Sequence, residues 1–255
     1  MIGSLAGALA ICMIATVSAP AGEAAAAKPG AAFPKGQYAQ LDKLPDWGGV
    51  WVLGMGRAPG GAPPENPQPK GKYLAEYEAY TKEVRENNGQ ARKENSNCMP
   101  PGMPGMMGTG QYPIEFLFTP GRVTTLHEAW MQNRTIFTDG RGHPDDLEPG
   151  FFGHSIGHWE GDTLVVDTVG IKTITELSRG IKHSDKLHVT ERIHLAKDNP
   201  DSLVIEMTME DPEALAAPYH RTLNFRRERD WNLMEFVCAE NDRNPVGADG
   251  LTQFK

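Results

Sequence analysis

The chain has little of what nucleic-acid binding, nucleotide chemistry or a membrane span requires. Its 25 Lys and Arg face 33 Asp and Glu, for a formal net charge of -8. Without a basic excess there is no stripe to displace the counterions of a phosphate backbone, so nucleic acid is not an expected partner. No Walker loop and no dinucleotide fingerprint occurs, and the glycines Gly102, Gly105, Gly108 and Gly110 sit among prolines and methionines rather than between a strand and a helix. No organic cofactor is expected. Metal motifs are also scarce: there is no His-Glu-x-x-His and no close grouping of Cys and His. His154 and His158 are four apart, but on a strand that spacing separates them by about 13 Å. Only a metal site assembled from separate strands stays open.

Long apolar runs are missing as well. The stretch from Met1 to Val17 is shorter than the roughly 20 residues a span needs. Followed by small residues and Ala24 to Ala27, it reads as a signal peptide over residues 1–27, although no Lys or Arg precedes it. The mature chain then works in the periplasm or outside the cell, with no stable membrane span. Residues 28–44 read as a linker, 45–245 as a single domain and 246–255 as a tail. Of three cysteines, Cys12 leaves with the leader. Cys98 and Cys238 remain, to be joined in an oxidising compartment or left unpaired, the first being favoured.

What the chain does have is a series of strand patterns. Lys72 to Glu86 is the one helical stretch, with Tyr73, Leu74, Tyr77, Tyr80 and Val84 on one face. A first strand is expected within Pro45 to Leu53. From Ile114 onward follow Ile114–Phe118, Val123–Met131, Asn133–Thr138, His154–Trp159, Thr163–Val169, Leu187–Leu195, Leu203–Met209, Tyr219–Arg226 and Leu233–Ala239, separated by turn residues such as Pro120-Gly121 and Gly161-Asp162. Nine or ten strands with mostly short connections predict a mainly β, antiparallel fold, a closed barrel with one N-terminal helix and a Pro/Met/Gly-rich loop at Cys98 to Met107. That loop is either a packed lid or a ligand-facing cap.

Strand parity then places polar residues. Glu191 falls in the middle of the apolar set Leu187, Val189, Ile193 and Leu195, so it is expected to be buried and in need of a partner. If Gly161-Asp162 is a two-residue turn, His158 lies opposite Val165 and His154 opposite Val169. His154, Ile156, His158, Val165, Asp167 and Val169 then share a face, and Trp159, Leu164 and Val166 share the other. His127 lies with Val123 and Thr125. With the first of those faces inward, Glu191, His154, His127 and Asp167 are the candidate acid/base groups. Arg134, Arg141, His143 and Met207 are the candidate substrate contacts, the arginines for a phenolate or carboxylate. Asp139 to His143 and His183 to Asp185 are loops able to carry ligand contacts or simply hydrated turns. A Ser–His nucleophile pair through Ser155 or Ser184 stays open.

Three stretches carry a family likeness: Thr119-Pro120-Gly121-Arg122-Val123, Arg134-Thr135-Ile136-Phe137-Thr138-Asp139-Gly140-Arg141, and the run from Gly153 to Thr168 containing His-Ser-Ile-Gly-His-Trp-Glu-Gly-Asp-Thr-Leu-Val-Val-Asp. With Leu187 to Arg192 and Glu235 to Asn241, they resemble a mostly uncharacterised family of secreted bacterial proteins over roughly residues 45–242. That resemblance implies export and little of mechanism. Gly49-Val50-Trp51 also resembles the Gly-x-Trp opening of lipocalin-like barrels, which hold small apolar ligands. The residues point to a cofactor-independent lyase or isomerase acting on a small apolar, aromatic, lignin-like compound. The alternatives are a carrier for such a molecule and a structural envelope protein.

Overall fold

The computed structural model describes residues 37–54, 66–89, 98–108, 112–238 and 247–250. The expected signal peptide, most of the linker and most of the tail lie outside the described residues. The described strands are β1 (Val50–Leu53), β2 (Ile114–Thr119), β3 (Arg122–His127), β4 (Gln132–Phe137), β5 (His154–Glu160), β6 (Thr163–Val169), β7 (Glu176–Ser178), β8 (Ile181–Lys182), β9 (His188–Ala196), β10 (Asn199–Glu210) and β11 (Tyr219–Glu228). One α-helix, α1 (Gly71–Glu86), joins them. A closed barrel forms in the order β1-β11-β10-β9-β6-β5-β4-β3-β2, while β7 and β8 pair apart from it.

Period-two burial shows why these segments are strands. Along β9, Val189, Glu191 and Ile193 are buried while Thr190 and Arg192 face out. Leu164 and Val166 of β6, Ile205 and Met207 of β10, and Leu223 and Phe225 of β11 fill the same interior. The β5–β6 hairpin has the register expected from its turn, with Trp159 opposite Leu164, His158 opposite Val165 and His154 opposite Val169. Gly161 supplies the positive φ of 60° that this two-residue turn demands.

Among the described strands of the barrel, one pairing is not antiparallel. Strand β5 lies parallel to β4 through Ile136↔Ser155 and Phe137↔Ile156. A parallel partner cannot be reached by a hairpin, so residues 138–153 double back along the outside of the wall. Gly153 ends that crossover at φ 64°, where a Cβ would stand 2.4 Å from the Val169 carbonyl oxygen. This join is a long exception among the mostly short connections expected, because turn residues mark where a strand stops and not where the next one docks.

Two expected strands are also corrected. The Val123–Met131 pattern stops at His127, since Trp130 and Met131 take positive φ of 55° and 48° in the bend to β4. The described part of the Leu233–Ala239 pattern, up to Cys238, makes no ladder with a described strand. Residues 231–238 form a strap whose Phe236 packs on Tyr112 and Trp130, and whose Met234 amide donates to Glu128 at 2.8 Å. A disulfide between Cys98 and Cys238 ties the strap down. The Pro/Met loop is a packed lid: Met103, Met106 and Met107 are all buried, and Thr175 Oγ1 donates to the Met103 carbonyl at 2.9 Å.

Candidate functional site

The eight residues singled out for chemistry fall into two groups on opposite sides of the barrel wall. Glu191, Arg134, His127 and Met207 are inside. His154, Asp167, Arg141 and His143 are outside. The expectation that the His154 and Asp167 face turns inward is therefore corrected: Ser155, Leu164, Val166 and Thr168 are the inward residues of that hairpin. Ser155 and Thr168 look like surface residues in a sequence, yet they face inward because a buried guanidinium needs acceptors.

Inside, Arg134 of β4 forms an ion pair with Glu191 of β9, with both side chains essentially inaccessible. Its Nη1 and Nη2 each donate to one Glu191 oxygen. Nε donates to Ser155 Oγ at 3.0 Å, Nη2 to Thr168 Oγ1 at 2.8 Å, and Nη1 reaches the Met107 sulfur at 3.7 Å. All five N–H donors of the fork are occupied. Met207 lies across from Glu191 in the ladder. Gly153-His154-Ser155-Ile156-Gly157 spells the Gly-x-Ser-x-Gly pattern, but Ser155 lies within strand β5 with its hydroxyl on Arg134 and Thr168 rather than on an imidazole. Ser184 is no nucleophile either: its hydroxyl donates to Asp211, and the adjacent His183 donates Nδ1–H to the Ser184 carbonyl.

His127 is the remaining interior group. Its Nε2 meets Thr125 Oγ1 at 2.9 Å, and among the described residues its Nδ1 has no partner. Burial, with the nearby Arg134 charge, pushes its pKa down to about 3. The unfolded chain takes up this proton below about 6.5, while the folded protein refuses it until about 3. The unfolded state thus binds more protons across that window, and stability falls as pH falls, by about 1.4 kcal/mol per pH unit from this group. His127→Gln should flatten this slope between pH 6 and 4 in urea titrations; an unchanged slope would show that His127 does not drive it.

Outside, four side chains form an unbroken line. His154 Nδ1 lies 2.8 Å from His143 Nδ1, His143 Nε2 is 2.9 Å from one oxygen of Asp167, and His188 Nε2 is 2.8 Å from the other. Glu210 stands beyond, 3.9 Å from His188 Nδ1. His143 arrives on the crossover, so the parallel strand pair is what completes the line. Burial opposes ionisation of Asp167, but the hydrogen bonds and charges of His188 and His143 outweigh it and hold its pKa below the usual carboxylate value. An ionised Asp167 requires N–H at His143 Nε2. A neutral His143 then accepts at Nδ1, so His154 must donate from Nδ1, which leaves the lone pair on His154 Nε2. Burial, then the neighbouring His143 and Arg141 charges, lower the pKa of His154.

Arg141 and Phe137 flank His154. The guanidinium lies 3.9 Å over the Phe137 ring, and that ring stacks on His154 at 5.4 Å between centroids. Asp139 takes Nε and Nη2 of Arg141, while Nη1 bonds to no described residue. His188 is the member that sequence reading missed as a site residue. Its signal was parity, since in β9 it shares the outward face with Thr190, the ladder partner of Asp167. Among the described residues no group of three or more His, Cys, Asp or Glu is placed to hold a metal ion. No helix among them is long and apolar enough to cross a membrane, and the disulfide fits an oxidising compartment. No protein-family model and no curated protein matches this chain.

Proposed function

We propose that the chain is an exported enzyme that moves protons by general acid/base chemistry, a lyase or isomerase for a small aromatic compound, with His154 as the base. The observation that carries this reading is the hydrogen-bonded line His154–His143–Asp167, which fixes the tautomers and leaves His154 Nε2 as an acceptor. In the proposed step, Nε2 takes a proton from a substrate C–H next to a carbonyl or carboxyl group. The C–H electron pair delocalises onto that group's oxygen, beside Arg141. The positive charge gained by His154 is shared with His143 through their common proton and is stabilised by Asp167. The imidazolium then returns the proton to another atom, which is isomerisation, or to a departing group, which is elimination. Phe137 offers an aromatic flank.

Two further observations support the parts of this reading. Export agrees with the N-terminal apolar run, the family resemblance and the disulfide. The outer site is preferred over a carrier role because the interior polar groups of Arg134, Glu191, Ser155 and Thr168 bond to one another. The test is deuterium uptake from D2O into a panel of lignin-like aryl alkyl ketones and aryl-substituted acetates and propanoates, read by mass spectrometry. Wild type should label one class, and His154→Ala should slow labelling by about 10²–10⁴-fold. Full-rate labelling by His154→Ala would overturn the assignment.

A further inference from the structure

The crossover is attached to the wall very unevenly. Its end is held by backbone bonds: Gly150 N–H to the Gly170 carbonyl at 3.0 Å, Lys172 N–H to the Gly150 carbonyl at 2.9 Å, and Met103 N–H to the Phe151 carbonyl at 2.8 Å. Its start is held by Thr138 N–H on the Gly121 carbonyl at 2.8 Å. Between these, among the described residues, no backbone hydrogen bond joins residues 139–149 to the barrel. Leu147 touches Gly170, Arg141 lies on Phe137, and the polar tie across to β5 and β6 is His143.

We infer that the His143–His154 contact is a proton-counting latch, which keeps residues 139–149 on the barrel while the two rings share a proton and releases them when both rings are fully protonated. Counting protons on the four ring nitrogens gives three states. With two protons, His154 Nδ1–H donates to His143 Nδ1 and Nε2 of His154 is a base. A third proton goes to that Nε2, and the contact persists as a charge-assisted bond, now with His154 as an acid. A fourth proton must go to His143 Nδ1, and two N–H groups then point at each other across 2.8 Å. The contact cannot survive this. The two steps belong to the coupled pair.

The groups facing the pair set where the last step falls. Asp139 and Arg141 face it from the crossover, Asp167 from β6, His188 from β9 and Glu210 beyond that. Arg141 opposes added charge on His154, and a second charged ring would stand 2.8 Å from the first. Opening therefore requires more acid than the acid/base step, so turnover leaves the segment latched and only acid lifts it. The regulatory meaning rests on His154 being the base; the latch itself rests on the contact alone.

Backbone ¹⁵N relaxation and histidine ring ¹⁵N spectra test this without any substrate, so failure here and failure to label a substrate are separate results. At pH 7.5 the amides of Gly140 and Gly142 should be ordered. Once both rings read as imidazolium, their order parameters should fall below about 0.6 while those of Val189 and Ile193 stay near 0.85. His143→Phe, which removes the tie, should loosen the segment already at pH 7.5. His154→Gln should keep it latched in acid, because an amide can accept from the protonated His143 as readily as it donates to the neutral one. A rigid segment in His143→Phe at pH 7.5, or a wild-type segment that stays rigid with both rings doubly protonated, would overturn the latch.

Discussion

Glu191→Ala should lower the free energy of unfolding by about 3–5 kcal/mol, the usual cost of stranding one partner of a buried ion pair. Arg134 is 1% exposed at its side chain and Glu191 0%, so the guanidinium left behind keeps its charge and has no water to turn to. Arg134→Ala should cost a similar amount for the mirror reason. Replacing both by apolar residues of like volume, as in Arg134→Met with Glu191→Leu, should recover most of the loss, because an apolar pair removes both desolvation costs at once. Urea unfolding with linear extrapolation reads all three, and the coupling between the sites should be large and of opposite sign to the single losses. The same series decides the role of Glu191. If Glu191→Gln abolishes substrate labelling while unfolding as wild type does, the carboxylate is a reacting group and the outer site is not the whole of the chemistry.

Removing the disulfide is the second large effect. Cys98 and Cys238 are 140 apart in sequence, and closing a loop of that length stabilises by about 5 kcal/mol in the chain-entropy model. Little else could hold the strap. Among the described residues it has no ladder partner, one amide bond to Glu128, and the contact of Phe236 with Tyr112 and Trp130. Cys98→Ser with Cys238→Ser should therefore approach the full loss and raise tryptophan accessibility to a neutral quencher through Trp130. A loss below about 1 kcal/mol would mean that the reduced chain keeps those two segments together by other contacts.

Much of the fold was legible because hairpin geometry is local. The Gly161-Asp162 turn alone predicts every partner from His154↔Val169 to Trp159↔Leu164, and alternation across Leu187 to Leu195 alone puts Glu191 inside. What failed was the sign of the β5–β6 face. Ile156, Val165 and Val169 make the outward face look apolar, while Ser155, Gly157 and Thr168 make the inward face look wet. The inward hydroxyls make sense only once Arg134, 21 residues from Ser155 and 34 from Thr168, is known to sit among them. The outer site was half legible for a related reason. His143, His154, Asp167 and Arg141 were each found by residue type, but their meeting depends on a crossover that runs back over the wall, and nothing local in Thr138 to Gly153 announces a parallel partner. His188 carried a parity signal and no chemical one.

The two shortest joints in the wall have a consequence for how the molecule comes apart. Strands β4 and β5 meet through two residue pairs, and β1 and β2 through two more. Residues 114–137 are thus a three-strand panel hinged on both edges by minimal backbone bonding, set against a six-strand panel of longer ladders. Partial opening follows those edges, as cooperative units of unequal stability do. Because Arg134 belongs to the small panel and Glu191, Ser155 and Thr168 to the large one, their bonds are the rivets between two plates, and a barrel without them is still a pair of sheets.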